Sequence, residues 1–584
     1  MATFLRRSLA FQTDTGNVVF CIGLLLLVAR LVTFTVGMGI NDDWSYIRTA
    51  REVAVTGHLH YNGWGEPMLG PQSYWAALFI KIFGFSLGIA RLSSIVLTCV
   101  FTPVVYGVPR RVGLTPGDAL LCTLAVLLSP LFLPNFPTLM TEASSFVFFM
   151  ATLYCSVEAW EARRTRSFIA WSLGGIFFSV LAATTRQIFW WAGLSFLATI
   201  LLFRWREWRI RTVLAVELAT ILGLAVAVRD WLRLQPYWAN DNALYALQRI
   251  SIPDLARSGV RSLGLIAGTM LIFSGPAVVA YIGPWIRRQR WWITGIAALI
   301  CAALACAIAN SHLWLGNMVT EYGVFFADQE ALGRRPVILG FWWIAGIYWI
   351  CLLGCVAILG TVLGAFAARF RLLPGWATES RIGRFVTLAI PFAAGYDGAL
   401  LFRSLTPPIF DRYLLPLLPL IAIPLVWLHR RRFRRSSVAS WCCVAVYGLF
   451  GLSTTHDLFA SATARKQALD LLQAHGISRS EILVGFDSDC AAEIDLAGYV
   501  NSIRIHRPPD AYRRVRCDWP APVSAWWSKF NPEIHPRYFV SFSRLPGLVE
   551  MQGFVPVEYR TWLPWTVQKI YVLQFPDQAE VACR

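Results

Sequence analysis

The chain has 584 residues, of which 56% are hydrophobic and only 15% charged, and its formal net charge is +18. A soluble protein of this length has roughly a quarter of its residues charged, and the deficit here falls in long apolar runs, which excludes one large water-soluble core. The arginines stand in short clusters between those runs and form no basic patch on a soluble domain, which excludes a nucleic-acid-binding protein.

The apolar runs predict a polytopic α-helical membrane protein with about thirteen transmembrane helices, since a bilayer core is crossed by ~20 apolar residues. The first run follows two arginines, as a signal peptide does. It is long, contains Arg30 and lacks a clear small-residue cleavage site, so we expect a retained helix. The expected spans are 18–38, 87–108, 116–133, 139–160, 168–184, 188–203, 212–228, 262–285, 292–310, 337–366, 384–402, 410–428 and 436–454.

The distribution of arginines predicts the orientation of these spans. The clusters fall in alternate loops, and the positive-inside rule makes that side the cytoplasm. We therefore expect a multi-pass protein of the inner (plasma) membrane with a cytoplasmic N-terminus. The loop at 39–86 and everything after residue 455 then lie outside. The clusters are 110–111, 163–166, 204–211, 287–290, 369–384 and 430–435.

The region 456–584 differs in kind from the rest of the chain. A helical pattern at 468–474 is followed by Gly476, a typical helix stop, and the runs 482–486, 538–542 and 570–573 are typical of strands. We expect a small extracytoplasmic α/β domain at 456–584 behind a transmembrane domain at 1–455. Cys490 and Cys517 lie in this domain, and the sequence leaves their pairing open.

Acidic residues next to apolar spans are functional candidates, because burying a charge at the membrane edge is costly. Two such places lie on the expected outer side: Asp42 and Asp43 after the first span, and Glu142 at the start of the fourth. A carboxylate pair at one depth would suit a general base or a metal ligand. The alternative is structural: the two aspartates cap the following helix, and Glu142 belongs to a buried ion pair.

The residues after Asp42 resemble the first outward loop of the GT-C superfamily, the polyprenyl-phosphate-dependent glycosyltransferases. The likeness is to the family of the protein O-mannosyltransferases and the lipid A aminoarabinose transferase. The matching elements are Asp42-Asp43, Tyr46, Ala50-Arg51-Glu52, Gly57, Gly70-Pro71-Gln72-Ser73-Tyr74-Trp75, Phe83-Gly84, Ala90-Arg91-Leu92 and the later Asp411-Arg412-Tyr413-Leu414-Leu415-Pro416. The resemblance covers the first ~190 residues well and the late spans loosely.

The resemblance implies a membrane glycosyltransferase that moves a sugar from a polyprenyl-phosphate-linked donor to an envelope acceptor, which is lipid A, another glycan, a lipid or a protein. Asp42 matches the catalytic acidic position, Asp43 its acidic neighbour and Glu142 the second acidic position. Tyr46, Arg51 and Tyr74 match loop positions expected to bind substrate. The aminoarabinose transferases have Lys-Pro-Pro where this chain has Leu69-Gly70-Pro71, so the donor and the contact to its phosphate are in question.

Arginine is the cation left to hold a donor phosphate, because the guanidinium fork matches phosphate geometry. The outward candidates are Arg186, Arg334, Arg335, Arg403 and Arg412. An arginine at a helix end also commonly reaches the headgroups without a further role. Direct displacement with inversion is the expected mechanism. A divalent metal at Asp42 and Glu142 remains open, because two carboxylates do not specify one.

Two other functions remain open from the sequence. A transporter or flippase of lipid-linked saccharides also has many spans, but such proteins often show internal repeats and charges near the midplane. No two-half symmetry is evident here, and the candidate charges lie at the outer face. The third alternative is a non-catalytic assembly factor whose outward domain binds a partner.

Overall fold

The protein is mostly helical in its computed structural model, which describes residues 2–65, 70–239, 252–286, 315–324, 327–369, 380–404, 409–433, 435–515, 523 and 525–575. The first nine helices are α1 Ala2–Leu31, α2 Asp43–Thr56, α3 Pro71–Phe83, α4 Leu87–Val112, α5 Pro116–Leu127, α6 Thr141–Glu161, α7 Thr165–Thr185, α8 Trp190–Phe203 and α9 Trp208–Arg233. The later ones are α10 Ile252–Phe273, α11 Gly275–Val278, α12 Ile282–Ile286, α13 Phe341–Arg369, α14 Arg381–Arg403, α15 Leu417–Phe433, α16 Val438–Ala474 and α17 Phe486–Ala497.

Seven helices in the described part of the chain are long and apolar enough to cross a bilayer, and the chain is a multi-pass membrane protein. They match the predicted spans at 18–38, 87–108, 139–160, 168–184, 212–228, 384–402 and 436–454. The predicted span at 262–285 is a bent pair, α10 and α11–α12, which changes direction by 66° at Ser274. It raises the number of spans to eight if it is counted as one.

The predicted total of thirteen spans is not confirmed. Two predicted spans contain apolar helical stretches of fewer than 18 residues, at Pro116–Leu127 and Gln187–Phe203, and the span predicted at 337–366 lies within α13, whose side chains are described only in part. The predicted span at 292–310 lies outside the described residues. The one at 410–428 begins with a 3-10 turn, Asp411–Leu414, before α15.

The predicted outward loop at 39–86 carries two helices, α2 and α3, between the first two long spans. Helix α2 ends where Gly57 adopts a left-handed conformation with φ of 79°, which glycine takes without steric cost. Helix α3 begins with Pro71 in its first turn, where the missing N–H costs no hydrogen bond. These local signals position α2 with its N-terminus directly after the first span.

The two ends of the helical bundle differ in their ion pairs. At one end, arginines from the predicted cytoplasmic loops meet acids: Arg110–Asp14 at 2.7 Å, Arg111–Glu158 at 2.5 Å, Arg384–Glu161 at 3.4 Å and Arg430–Asp118 at 3.5 Å. The opposite end carries Asp42, Glu142 and the C-terminal sheet. Among the described residues, arginines from three of the clusters predicted to share one side therefore lie at one end of the bundle.

Helix α16 runs for 37 residues and continues through the predicted domain boundary at residue 455. The helix predicted at 468–474 is its last part, and it ends before Gly476. The region beyond it carries a five-stranded sheet in the order β3-β4-β7-β5, with β6 paired to β7. The strands are β3 Ile482–Leu483, β4 Tyr538–Ser541, β5 Val549–Glu550, β6 Val557–Trp562 and β7 Trp565–Gln574, while β1 Val319–Thr320 and β2 Gly323–Val324 form a separate hairpin.

The predicted strands at 538–542 and 570–573 are confirmed as members of this sheet. Of the strand predicted at 482–486, only Ile482–Leu483 belongs to the sheet, because Phe486 begins α17. Strand β3 is parallel to β4, and the other pairs are antiparallel. A buried ion pair joins the sheet region to α16, since Arg465 holds both carboxylate oxygens of Asp487 at 3.0 and 2.8 Å. Cys490 is buried, and Cys517 lies outside the described residues.

Candidate functional site

Asp42 occupies the N-cap position of α2, but its side chain makes no capping hydrogen bond. Its Oδ1 accepts a hydrogen bond from Nε1 of Trp64 at 2.9 Å, and its Oδ2 accepts one from Nη2 of Arg412 at 3.2 Å. The side chain is 15% exposed. Capping therefore does not account for this carboxylate, which is held instead by two donors from distant parts of the chain.

Glu142 lies in the first turn of α6, where the partial positive charge of the helix N-terminus favours an acid. Its Oε1 accepts a hydrogen bond from Nη1 of Arg186 at 2.5 Å, and its Oε2 accepts one from the Thr141 hydroxyl at 3.3 Å. Arg186 is the residue that ends α7. The antiparallel pairing of α6 and α7 thus brings this arginine beside the acid.

Arg412 joins the two acids. Its Nε lies 3.0 Å from Oε1 of Glu142, its Nη2 is bonded to Asp42, and its side chain is 5% exposed. The 3-10 turn that carries it is fixed by Asp411, whose carboxylate accepts hydrogen bonds from the backbone N–H groups of Met318 and Val319 at 2.8–3.1 Å. Nη1 of Arg412 is buried and has no hydrogen-bond partner among the described residues.

The ring of Tyr413 lies beside two arginines, Arg186 and Arg403. The guanidinium of Arg186 lies 4.4 Å from the centre of its ring, and that of Arg403 lies 5.5 Å away. Cations are attracted to aromatic faces at such distances. The hydroxyl of Tyr396 fixes the turn by donating to the Tyr413 carbonyl at 2.7 Å. Arg403, the last residue of α14, therefore joins the cluster through the Tyr413 ring.

The cluster brings cations and acids together. Arg186 and Arg412 contact the carboxylates of Asp42 and Glu142, Arg403 lies over the neighbouring Tyr413 ring, and the Asp411 carboxylate lies beside Arg412. Burial raises the pKa of the Asp42 carboxyl, while Arg412 and the Trp64 hydrogen bond act in the opposite direction. A carboxyl with a raised pKa takes up a proton more readily near neutral pH.

Asp43, the immediate neighbour of Asp42, has a different environment. Both its oxygens are occupied, Oδ2 by Nε of Arg91 at 2.8 Å and Oδ1 by the backbone N–H of Ile40 at 2.7 Å, and its side chain is fully buried. Arg91 also donates to the carbonyls of Phe34, Val36 and Met38. This geometry fits a structural clamp between the end of the first span and α4.

The remaining predicted substrate-binding residues are Tyr46, Tyr74, Arg51, Arg334 and Arg335. Tyr46 is buried at 4% exposure in α2, and Tyr74 is 47% exposed on α3. Arg51 stacks over the ring of Phe85 at 4.8 Å. Arg334 donates its backbone N–H to Ser543, and Arg335 lies over the ring of Phe542 at 5.1 Å, so both border the C-terminal sheet region.

A divalent metal fits this site poorly. Among the described residues, no three His, Cys, Asp or Glu side chains are placed to hold a metal ion. The two carboxylates of Asp42 and Glu142 already face the guanidinium of Arg412, whereas a hard cation needs several free oxygen ligands. We therefore derive no step through a metal.

Three residues of the site were not predicted from the sequence as functional. Trp64 donates to Asp42, Tyr413 stacks with two arginines, and Arg91 holds Asp43. The sequence could have identified Arg91, because it is a charged residue at the start of an apolar span and such charges are buried only with partners. Tyr413 belongs to the segment Asp411–Pro416 that resembles the family, and no local pattern marks the tryptophan.

Comparison with known proteins gives matches among solved structures only. No protein-family model and no curated protein matches the chain. The match to the crystal structure of ArnT from Cupriavidus metallidurans in the apo state has 16% sequence identity and a TM-score of 0.36. It covers 80% of this chain and 82% of the ArnT chain. The same protein bound to undecaprenyl phosphate gives a TM-score of 0.35.

A second match is the archaeal oligosaccharyltransferase AglB from Archaeoglobus fulgidus, in complex with an inhibitory peptide and a dolichol-phosphate. It is 12% identical, with 90% of this chain and 64% of that chain covered and a TM-score of 0.40. With identities below 25% and TM-scores below 0.5, the functional argument rests on the site's own geometry. In these comparisons the chain is similar to ArnT and to AglB.

Proposed function

We propose that the protein is a membrane glycosyltransferase that transfers a sugar from a polyprenyl-phosphate-linked donor to an acceptor of the cell envelope at the outer face of the membrane. The observation that carries the proposal is the bridge formed by Arg412. It holds carboxylates from two segments a hundred residues apart, Asp42 and Glu142, with Arg186 and Arg403 beside it. Acid, base and phosphate-binding groups of the required types thus lie in one cluster.

Asp42 is the proposed general base. The acceptor O–H gives its proton to the Asp42 carboxylate, and the oxygen forms a bond with the anomeric carbon of the donor. The bond between that carbon and the phosphate oxygen breaks, and its electron pair remains on the phosphate. The raised pKa of Asp42 favours proton uptake, and Trp64 and Arg412 orient the carboxylate.

The arginines are the proposed stabilisers of the departing phosphate. Nη1 of Arg412 is a buried donor without a partner among the described residues, so it can bond to a phosphate oxygen without losing an existing contact. Arg186 and Arg403 add charge at the same place. Charge-assisted hydrogen bonds of this kind strengthen as negative charge develops on the leaving group. Glu142 then acts as the positioning residue that holds Arg412 and Arg186.

The proposal is tested with Asp42→Asn, which keeps the size of the side chain and removes the base. We expect sugar transfer in membranes supplied with polyprenyl-phosphate sugars to fall by about 100-fold or more, with unchanged expression and thermal stability. Asp470→Asn, an exposed acid on α16, is the matched control and should transfer at the wild-type rate. Sugar transfer by Asp42→Asn at the wild-type rate would show that Asp42 is not the general base, and it would favour the transporter alternative.

The stereochemistry of the product tests the mechanism separately. Direct attack by the acceptor on the anomeric carbon inverts its configuration, because no covalent sugar–enzyme intermediate is formed. We expect NMR of the product of the purified protein to show the anomeric configuration opposite to that of the donor. Retained configuration would contradict direct displacement while leaving the transferase activity intact.

A further inference from the structure

A cavity of about 580 Å³ lies outside the Asp42 cluster. One wall is α2, the opposite wall is formed by α17 and the end of α16, and the floor is the backbone of 37–39 after the first span. Trp44 is buried between this cavity and Trp64, the residue that holds Asp42. We name this cavity the α2–α17 cleft.

Cationic side chains from separate elements line the α2–α17 cleft. Arg48 and Arg51 project from α2, and Lys466 comes from α16. Arg48 pairs with Asp495 across the cleft, and Lys466 pairs with Asp470 on its own helix. Arg51 is exposed, and within the described part of the chain no carboxylate is recorded as its ion-pair partner.

These ion pairs leave the cleft able to receive an anion. Exposed pairs such as Lys466–Asp470 contribute little net free energy, so the lysine can exchange its partner at small cost. Arg479 also lines the cleft, but it is committed to the structure by its bond to the buried Asp489 at 2.8 Å. Arg51 and Lys466 are therefore the cations available to a ligand.

The rim of the α2–α17 cleft is apolar and adjoins the membrane-spanning part. Leu87, the first residue of the span α4, and Phe85 line it. From Phe85, which is 42% exposed, an exposed apolar stripe continues onto α3 through Phe83 and Ile82, at 61% and 62%. Exposed apolar patches of this kind mark binding or membrane-contact surfaces.

We propose that the α2–α17 cleft binds the phosphate-bearing headgroup of a membrane lipid, whose apolar tail follows Phe85, Phe83 and Ile82 into the bilayer. A charged head and an apolar tail match the two parts of this surface, with Arg51 and Lys466 bonding the phosphate. A soluble anion would use the cations and leave the apolar stripe uncovered. The site is separate from the transferase cluster and does not depend on the proposed function.

The test measures lipid binding to the full-length protein in detergent by native mass spectrometry. The probes are bisphosphorylated lipid A, phosphatidylglycerol, phosphatidylcholine and inorganic phosphate. We expect at least one of the first two to bind about tenfold or more tighter than phosphatidylcholine, and the double variant Arg51→Ala/Lys466→Ala to lose that difference, because charge-assisted hydrogen bonds are removed. Preference for lipid A identifies a glycolipid as the ligand, and equal binding identifies any anionic lipid of the leaflet.

The control is Arg544→Ala/Lys569→Ala, which removes the same charge from the exposed sheet region and should bind as the wild type does. Arg51→Lys should keep most of the affinity, since it keeps the charge. Equal affinity for phosphatidylcholine, or unchanged binding by Arg51→Ala/Lys466→Ala, would overturn the proposal. Binding of inorganic phosphate as tight as that of the lipids would assign the cleft to a free anion and overturn it as well.

Discussion

Asp42 and Asp43 show how strongly the environment separates two identical neighbours. Successive residues at the start of a helix point in different directions, so Asp43 turns towards α4 and Asp42 towards the turn that carries Arg412. Asp43 is enclosed by Arg91 and Ile40, and Asp42 keeps 15% exposure beside a cluster of arginines. Only Asp42 combines a raised pKa, residual access and neighbouring cations, which is the combination expected of a reacting carboxylate.

The pair Asp43–Arg91 should control stability. We expect Arg91→Ala to lower the free energy of unfolding by about 3–5 kcal/mol, because it leaves a buried carboxylate without a counter-charge. Asp43→Ala should lower it by a similar amount, since it leaves the Arg91 guanidinium buried. The thermal midpoint of the purified protein in detergent is the measurement.

A double variant distinguishes the structural role of Asp43 from a catalytic one. Asp43→Ala/Arg91→Ala removes both charges, and its loss of stability should be clearly smaller than the sum of the two single losses. If Asp43→Ala were as stable as the wild type and inactive in sugar transfer, the residue would belong to the reacting groups instead.

The short helix α17 carries three buried acidic residues. Its first turn carries Asp487 and Asp489, which are held by Arg465, Arg479 and the indole N–H of Trp527. Acids at a helix N-terminus also interact favourably with its dipole. Near the other end, Glu493 is fully buried, and it accepts one hydrogen bond at 3.1 Å, from the backbone N–H of Glu533.

Glu493 should make the stability of the protein depend on pH. Burial raises its pKa from 4.5 to about 7, so the folded state binds this proton more tightly than the unfolded state does. Below about pH 4.5 the group is protonated in both states and costs nothing. As the pH rises to about 7, the folded state loses stability relative to the unfolded state, by on the order of 1–3 kcal/mol.

Glu493→Gln removes this titration. We expect the thermal midpoint of Glu493→Gln, relative to that of the wild type, to increase between pH 4.5 and 7.5 in detergent. Glu558→Gln, an exposed glutamate on β6, is the control and should show no such trend. A constant difference between Glu493→Gln and wild type across this range would contradict the buried ionisation.

For the whole molecule, the two ends of the bundle have different compositions. One end carries the arginine-rich loops with their acidic partners, and the other carries the Asp42 cluster, the α2–α17 cleft and the sheet region. The positive-inside rule predicts that the first end faces the cytoplasm. The Asp42 cluster and the sheet region would then face outward, as the proposed function requires.

Labelling in intact cells tests this orientation. We expect an impermeant thiol reagent to label Val555→Cys, at an exposed position in the sheet region, and not Arg164→Cys in the loop between α6 and α7. Lysed cells should allow both to be labelled, and the wild-type chain gives the background from native cysteines. Labelling of Arg164→Cys alone in intact cells would reverse the orientation and place the Asp42 cluster on the cytoplasmic side.

The sequence predicted those parts of the architecture that depend on local composition. Seven long apolar helices follow from runs of ~20 apolar residues, which a bilayer requires, and three strands of the sheet follow from short β-branched and aromatic runs. The span count was less predictable, because an apolar run at 262–285 bends by 66° and others yield short helices. Hydropathy measures composition, and it does not register a change of helix direction.

The sequence by itself also determined which residue types were available at each end of the membrane, since charges are excluded from the apolar runs. Only the tertiary structure decided their pairing. Arg412 meets Asp42 across 370 positions of sequence, and Arg465 meets Asp487 through the packing of α16 against α17. The physical reason is that a buried charge is tolerated only beside its partner, and the arrangement of packed helices determines which partner lies close enough.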